Sequence, residues 1–266
     1  MSRKACVAGQ FYPGDAEELQ AALRGFLPES VRQRATAVIC PHAGYIYSGA
    51  VAGAVYSAVE IPDNVILIGP NHTGLGRRAS VMTAGAWEIP TGVVEINEEL
   101  AGLVVGCTDL FSSDVSAHLG EHSLEVQLPF LYYLNRDVKI VPITIMQADY
   151  GECVEMGSAL SKVISSYNKE VLLVVSSDMN HFEPDDLTRQ KDALAIERVK
   201  DLDAGGLLGV TASNDITMCG VLPAAVAIEA AGRLGAEKAL LVKYATSAET
   251  SGDYGHVVGY AGFIIK

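Results

Sequence analysis

The sequence predicts a layered α/β/α domain with a mostly parallel central sheet. Six short apolar runs rich in β-branched residues recur along the chain, at 36–40, 64–69, 138–145, 171–177, 239–246 and 256–265. Near-continuous apolar strands are typical of a sheet that is covered on both faces. Because these runs alternate with stretches of helical pattern, the sequence favours parallel strands joined by helical crossovers.

Seven helices are predicted between and around these strands, at 15–27, 48–59, 97–106, 121–134, 150–166, 186–199 and 218–234. Several of them begin at a Ser, Asp or Asn that can cap the first turn. The segment 73–95 differs, because it has the pattern of turns and short antiparallel strands. We therefore expect a flap or an edge hairpin there.

One domain over residues 1–266 is the expected organisation. A chain of 266 residues, of which 49% are hydrophobic, can form one large core. The sequence has no internal repeat, no low-complexity tract and no Pro- or Ser-rich linker that would divide it.

Charge and hydropathy disfavour two classes of partner. Acidic residues outnumber basic residues by 32 to 19, which gives a formal net charge of −13. This charge opposes binding to nucleic acid and to anionic lipid. No apolar run reaches the roughly 18 residues of a membrane span, and the N-terminus lacks the apolar stretch of a signal peptide. We therefore expect a cytoplasmic protein that binds neither nucleic acid nor membrane.

The absence of familiar motifs argues against several further classes of protein. The odd number of cysteines and the lack of any C-x-x-C pair indicate neither a disulfide framework nor a zinc knuckle, so each cysteine is expected to be a free thiol or a metal ligand. The sequence also lacks a P-loop, a G-x-S-x-G elbow and an H-E-x-x-H motif, so kinase and common hydrolase chemistry lose their usual support. The cysteines are Cys6, Cys40, Cys107, Cys153 and Cys219.

Three histidines, His42, His72 and His181, each come shortly after one of the predicted strands. In open α/β sheets ligands bind outside the carboxyl ends of the strands, so these imidazoles are expected at one edge of the sheet. Neutral imidazole is a common ligand of Zn, Cu, Fe and Ni. The placement therefore predicts a metal site. On the pattern alone, Cys40 is as good a thiol ligand as any other cysteine.

The roles of neighbouring polar residues stay open on the pattern alone. Asp178 comes three residues before His181 and can bind metal, orient an imidazole or cap a helix; orientation of a histidine is the role we favour. Glu121 and His122 begin a predicted helix, where a role in function and a role in capping are equally supported.

Six separated motifs together resemble the Memo family over nearly the whole chain. They are PHAGY (41–45), GPNH (69–72), EHSLEVQLPF (121–130), SSDMNH (176–181), CG (219–220) and YATS (244–247). The resemblance implies a fold similar to that of class III extradiol dioxygenases. It also implies that His42, His72 and Cys219 bind the metal and that Asp178 and His181 lie beside it, with His181 as the acid/base. Cys40 is then expected to be a small buried hydrophobic residue.

The function implied by this resemblance is that of a metal-dependent oxidoreductase with one Fe²⁺ or Cu ion. A thiolate in place of the carboxylate ligand of the ring-cleaving enzymes shifts the preference towards Cu or Zn. Zn would favour hydrolysis through a bound water, with Glu121 or His181 as the base. The alternative is a non-enzymatic module in which a vestigial dioxygenase-type pocket binds a peptide or protein. The expected partner is accordingly a small-molecule substrate or a peptide or protein.

Overall fold

A computed structural model describes residues 2–266 of the chain. Its strands are β1 (Ser2–Arg3), β2 (Ala37–Cys40), β3 (Asn64–Pro70), β4 (Ala79–Val81), β5 (Ala86–Ile89), β6 (Gly92–Ile96), β7 (Ser112–Ser113), β8 (Lys139–Ile145), β9 (Leu172–Ser176), β10 (His181–Glu183), β11 (Ala239–Thr246) and β12 (Val257–Ile265). Its α-helices are α1 (Ala16–Phe26), α2 (Tyr45–Ser57), α3 (Glu98–Val105), α4 (Leu128–Leu134), α5 (Tyr150–Ser166), α6 (Asp185–Lys200), α7 (Ala204–Ser213), α8 (Val221–Arg233) and α9 (Ala248–Ser251).

The centre of the sheet is parallel, and the antiparallel pairs lie towards its margins. The strand order is β1-β5-β6-β8-β3-β9-β2-β12-β10, with β11 on β12, β4 on β8 and β7 on β4. Strands β6, β8, β3, β9 and β2 all pair in parallel. Strand β12 runs antiparallel to β2, β10 and β11. The predicted fold class, an α/β protein with a mostly parallel sheet, is confirmed.

Helices cover the sheet in two groups. Helices α1, α2 and α4 contact one another, and α2 packs on β2, β11 and β12. Helices α5, α7 and α8 form the other group, and α8 packs on β2, β3, β8 and β9. Every residue of β2, β3 and β9 is buried, which explains why their sequences are continuously apolar instead of alternating. Among residues 2–266, no helix combines the length and the apolar composition that a bilayer crossing requires.

The local predictions hold in part. The segment 73–95 does contain an antiparallel hairpin, β5–β6, at the margin of the sheet. Of the helix predicted over 121–134, residues 121–124 are not helical, Glu125–Gln127 form a 3₁₀ helix, and α4 follows from Leu128 with Pro129 in its first turn. Helix α7 was not predicted, since its Gly-rich sequence has poor helix propensity.

A buried arginine binds the segment that precedes α4. Arg3 is 2% exposed, and its Nη1 atom lies 2.7 Å from Oε2 of Glu125. Its other nitrogens donate to the carbonyl oxygens of His118 (2.6 Å) and Glu121 (2.7 Å). The guanidinium also lies 4.0 Å above the centre of the Trp87 ring. Arg3 thus satisfies two buried backbone carbonyls and joins β1 to the segment that contains Glu121 and Glu125.

His118, in the same region, is fully buried, and within residues 2–266 neither of its ring nitrogens has a hydrogen-bond partner. Burial and then the charge of Arg3 lower its pKa to about 4. An unfolded chain binds the proton at its ordinary pKa near 6.5, so between these values the unfolded state holds more protons than the folded one. Stability therefore falls as the pH drops from about 6.5 to about 4.

In His118→Leu we expect the free energy of unfolding to fall by about 3 kcal/mol less between pH 7 and pH 4 than in the unchanged protein. At pH 7 we expect little change in stability. Leucine has a similar volume and no nitrogen to leave unpaired. Urea unfolding at pH 7, 6, 5 and 4 measures the effect, and an acid dependence identical to that of the unchanged protein would contradict it. The substitution His256→Leu at an exposed position is the matched control.

The carboxyl ends of neighbouring parallel strands meet at one edge of the sheet. Strands β3, β9 and β2 lie side by side and end at Pro70, Ser176 and Cys40. The loops that follow them, 71–78, 177–180 and 41–44, are therefore adjacent. This is the edge at which the sequence predicts a metal site.

Candidate metal centre

Three imidazoles meet above this edge of the sheet. The ring centroids of His42 and His72 lie 5.3 Å apart, those of His72 and His122 lie 4.7 Å apart, and those of His42 and His122 lie 5.5 Å apart. One nitrogen from each ring lies within 4.8 Å of the other two. His42 is buried, His122 is half-buried and His72 is exposed, so the cluster opens to solvent on one side. This arrangement could hold a metal ion.

A hydroxyl at the end of β9 determines which nitrogen of His42 carries the proton. The Ser176 hydroxyl lies 2.6 Å from the carbonyl oxygen of Ser123, which can only accept, so the hydroxyl hydrogen points there. The oxygen of Ser176 therefore accepts from Nδ1 of His42 at 2.9 Å and from Nε2 of Gln127 at 2.8 Å. Nδ1 of His42 is protonated, and Nε2 carries the lone pair.

The charge state of His42 also favours metal binding. Burial lowers the pKa of His42 well below its ordinary value, and positive charge on His122 or His72 would lower it further. Burial likewise lowers the pKa of His122. At neutral pH the imidazoles of His42 and His122 are therefore uncharged, which is the form that binds a metal ion.

Glu121 orients His72 by two hydrogen bonds. Nδ1 of His72 lies 2.9 Å from Oε1, and the backbone nitrogen of His72 donates to Oε2 at 2.5 Å. The backbone nitrogen of Ser123 also donates to Oε1, at 2.9 Å. Burial alone would raise the pKa of Glu121, but these hydrogen bonds outweigh it and hold the pKa at about 2. Since a carboxylate only accepts, Nδ1 of His72 is protonated and Nε2 is free to bind metal.

We expect Glu121→Gln to weaken metal binding by roughly 10- to 100-fold, which is typical for loss of a carboxylate behind a ligating histidine. Glutamine keeps the volume, but it has one oxygen in place of two. It therefore cannot accept from both the backbone nitrogen and Nδ1 of His72 in this geometry. Competition with a chromophoric chelator measures the Kd, with the exposed Glu17→Gln as the control for loss of one negative charge. An unchanged Kd would show that Glu121 does not orient His72 in the metal-bound protein.

Cys219 approaches the cluster from the segment before α8. Its Sγ atom lies 3.3 Å from Nε2 of His42 and accepts from the backbone nitrogen of Asp178 at 3.2 Å. Burial and then the charge of Asp178 raise the pKa of the thiol far above its ordinary value. The thiol is therefore protonated without a metal ion, and a bound cation would displace that proton.

Glycine is required at the position after Cys219. A Cβ atom on Gly220 would lie 2.4 Å from Cβ of Ser177 and 2.5 Å from the carbonyl oxygen of Ser176. The backbone nitrogen of Gly220 instead donates to the Ser177 hydroxyl at 3.0 Å. This close approach brings the Cys219 segment against the loop after β9, and thus next to His42.

Asp178 and His181 lie at the same edge but have different partners. The Asp178 carboxylate accepts from the backbone nitrogen of His42 at 2.7 Å, and burial raises its pKa. Nδ1 of His181 lies 2.8 Å from the carbonyl oxygen of Thr217, which makes Nδ1 the protonated nitrogen and leaves the Nε2 lone pair available. The Asp178 carboxylate thus orients the backbone of His42, while the Thr217 carbonyl holds the imidazole of His181.

The sequence did not identify every residue of this arrangement. It predicted His42, His72 and His181 at one sheet edge but left Glu121 and His122 open. It did not single out Ser176 or Thr217. The signal that could have pointed to the pair at 121–122 is a carboxylate directly beside a histidine. The remaining candidate thiol, Cys40, is fully buried in β2.

Comparison with known proteins identifies the family. The family described as Memo-like protein matches residues 3–264. The chain belongs to the Memo family. It is 46% identical over 266 aligned residues to a MEMO1 family protein of Aquifex aeolicus (strain VF5), with 98% of each chain covered. It is 40% identical over 281 aligned residues to the MEMO1 family protein MK0963 of Methanopyrus kandleri, with 100% of this chain and 99% of that protein covered.

A solved structure supports the fold. The uncharacterized protein JW3007 from Escherichia coli K12 superposes with a TM-score of 0.60 over 87% of this chain and 100% of that chain. The sequence identity is 15%, so the likeness concerns the fold alone. The Memo-family resemblance inferred from the six motifs is confirmed by the family match and the MEMO1 family relatives.

Proposed function

We propose that this Memo-family protein is a metal-dependent oxidoreductase that binds one Fe²⁺ or Cu ion through His42, His72 and Cys219. The observation that carries the proposal is the agreement of two independent hydrogen-bond arrangements. Ser176 leaves the Nε2 lone pair of His42 free, and Glu121 does the same for His72. Two imidazole nitrogens and a nearby thiol form a donor set that suits transition metals.

The third ligand is the point on which the geometry offers a choice. His122 lies in the histidine cluster, but its Nδ1 atom is 3.6 Å from Glu121, too far for a hydrogen bond that would orient the ring. Its ring stacks on His72 and packs 4.9 Å from Phe11. As a thiolate ligand, Cys219 would supply a negative charge that an imidazole ligand does not. We therefore assign Cys219 as the ligand and His122 as part of the pocket wall.

A bound Fe or Cu ion would supply one-electron chemistry, while the protein would orient its ligands and move protons. Nε2 of His181 carries a lone pair and belongs to a half-exposed side chain, so it can accept a proton from a substrate. Asp178 keeps the backbone of His42 in place. No side chain of Lys or Arg hydrogen-bonds with the three clustered imidazoles in the part of the chain that the structure describes.

Oxygen consumption tests this function. The protein is loaded separately with Fe²⁺ and Cu and assayed with a panel of catechols and cellular reductants. We expect turnover with one of the two metals, and a fall of roughly 10²- to 10⁴-fold in His181→Gln with the metal content unchanged. The absence of turnover with both metals and all substrates would overturn the proposal. Hydrolysis by the Zn form would instead indicate a zinc hydrolase.

A second candidate function, binding of a peptide or protein, is favoured by Phe182. This side chain is 72% exposed, and its backbone φ of 61° is unusual for a bulky residue. Such strain costs of order 1–3 kcal/mol and occurs most often at functional sites. Phe182 is next to His181, so a partner could contact it at the mouth of the site. Protection of residues 181–183 from hydrogen exchange by a co-purifying partner, without oxidase activity, would favour this function.

A further inference from the structure

Two loops beside the metal centre meet at a buried asparagine. Asn180 is fully buried, and its Oδ1 atom accepts from the backbone nitrogen of Thr217 at 3.0 Å and from the Thr217 hydroxyl at 3.2 Å. Its backbone carbonyl accepts from Gly259 of β12 at 2.9 Å. Asn180 therefore joins the loop after β9 to the segment that leads to Cys219.

Thr217 in turn contacts His181 at two points. Its hydroxyl oxygen accepts from the backbone nitrogen of His181 at 2.8 Å, and its carbonyl oxygen accepts from Nδ1 of the His181 ring at 2.8 Å. The same hydroxyl donates to Asn180, so its donor and acceptor functions are both used. One residue thus restrains both the backbone and the ring of His181.

This contact is supported from behind by a buried carboxyl group. Asp192 of α6 is fully buried and accepts from the backbone nitrogen of Asn180 at 2.9 Å and from the Tyr244 hydroxyl at 2.7 Å. The Asn180 side chain also donates to Glu183 at 2.6 Å. Since α6 and β11 are regular elements, Asn180 has little freedom to move, and the position of Thr217 follows from it.

We propose that Thr217 is a positioning residue for His181, which it holds in the Nδ1–H tautomer so that Nε2 is the proton acceptor. Thr217 is two residues before Cys219, so the contact also sets the place of His181 relative to the thiol. The proposal rests on the proposed function for its purpose, because a fixed tautomer matters to a group that transfers protons. The tautomer itself depends only on the contacts of Thr217.

Ring-nitrogen NMR of the ¹⁵N-histidine-labelled, metal-free protein at mildly alkaline pH tests this directly. The His181 signals are assigned by their loss in His181→Gln. We expect the Nδ1–H tautomer in the unchanged protein and in Thr217→Ser, which keeps the hydroxyl. Thr217→Val has the same shape and keeps the carbonyl, but it loses the hydroxyl that accepts from the His181 backbone and donates to Asn180. The carbonyl is then no longer held against the ring, so we expect this variant to populate both tautomers.

The Nε2–H tautomer in the unchanged protein would overturn the proposal, even if Thr217→Val did not fold. So would a Thr217→Val spectrum identical to the unchanged one, or a Thr217→Ser spectrum with mixed tautomers. The measurement uses neither metal nor substrate. A failure of the proposed oxidoreductase function therefore appears in the oxygen assay alone, and a failure of the positioning role appears in these spectra alone.

Discussion

His42→Ala is expected to lower the affinity for the metal ion by about 2.5–4 kcal/mol, or roughly 60- to 1,000-fold. Sites with about four protein ligands bind zinc with roughly 10–16 kcal/mol, so each ligand accounts for about a quarter of that. His42 belongs to both candidate ligand sets, with His72 and Cys219 or with His72 and His122. Its loss therefore removes a nitrogen whichever third ligand binds.

Titration of the chelator-stripped protein with Zn²⁺ or Cu²⁺, followed by calorimetry or dye competition, measures this change. His256→Ala is the matched control, because this exposed histidine lies at the start of β12 and outside the cluster. We expect the control to bind as tightly as the unchanged protein. Equal affinities for all three proteins would place the metal site elsewhere.

Arg3→Met is expected to lower the free energy of unfolding by about 3–5 kcal/mol. Methionine keeps the apolar part of the side chain but leaves the carboxylate of Glu125 buried without its cation. Glu125 also accepts from Tyr12 and from the backbone nitrogens of Cys6 and Val7, so it cannot turn to solvent without breaking those bonds. The charge of Arg3 and these bonds outweigh burial and lower the pKa of Glu125.

Urea unfolding at pH 7 measures this loss. The control Arg34→Met removes an arginine whose side chain is 79% exposed, and it should change stability by less than about 0.5 kcal/mol. In the double variant Arg3→Met/Glu125→Gln the unpaired charge is gone, so part of the loss should be recovered. A single variant as stable as the control would mean that Arg3 is not the group that neutralises Glu125.

The fold and half of the site could be predicted because they depend on local pattern. Continuous apolar runs identify the central strands, and the rule that ligands bind beyond the carboxyl ends of parallel strands places His42, His72 and His181 together. Pattern alone could not choose the third ligand. The resemblance to the Memo family proposed Cys219, and the structure brings its sulfur to 3.3 Å from His42.

The rest depends on contacts between residues that are far apart in sequence. Periodicity suggested a helix over 121–134, but the helical part begins only at Glu125, and Arg3 binds the Glu121 carbonyl across 118 positions. Glu121 lies outside the helical part, and its carboxylate accepts from the backbone nitrogen of His72 and lies 2.9 Å from Nδ1 of that residue. The tautomers of His42 and His181 are set by the Ser176 hydroxyl and by the backbone carbonyl of Thr217. A single serine and a backbone group leave no recognisable pattern in the sequence, so these partners could not be predicted.

The central claim is that His42, His72 and Cys219 bind the metal ion. The absorption spectrum of the protein loaded with Co²⁺, as a spectroscopic substitute for the native ion, tests it most directly. We predict a thiolate-to-cobalt charge-transfer band that persists in His122→Ala and disappears in Cys219→Ser. A bound cobalt ion with no such band, or a band that survives in Cys219→Ser, would contradict the claim and leave the three histidines as the metal site.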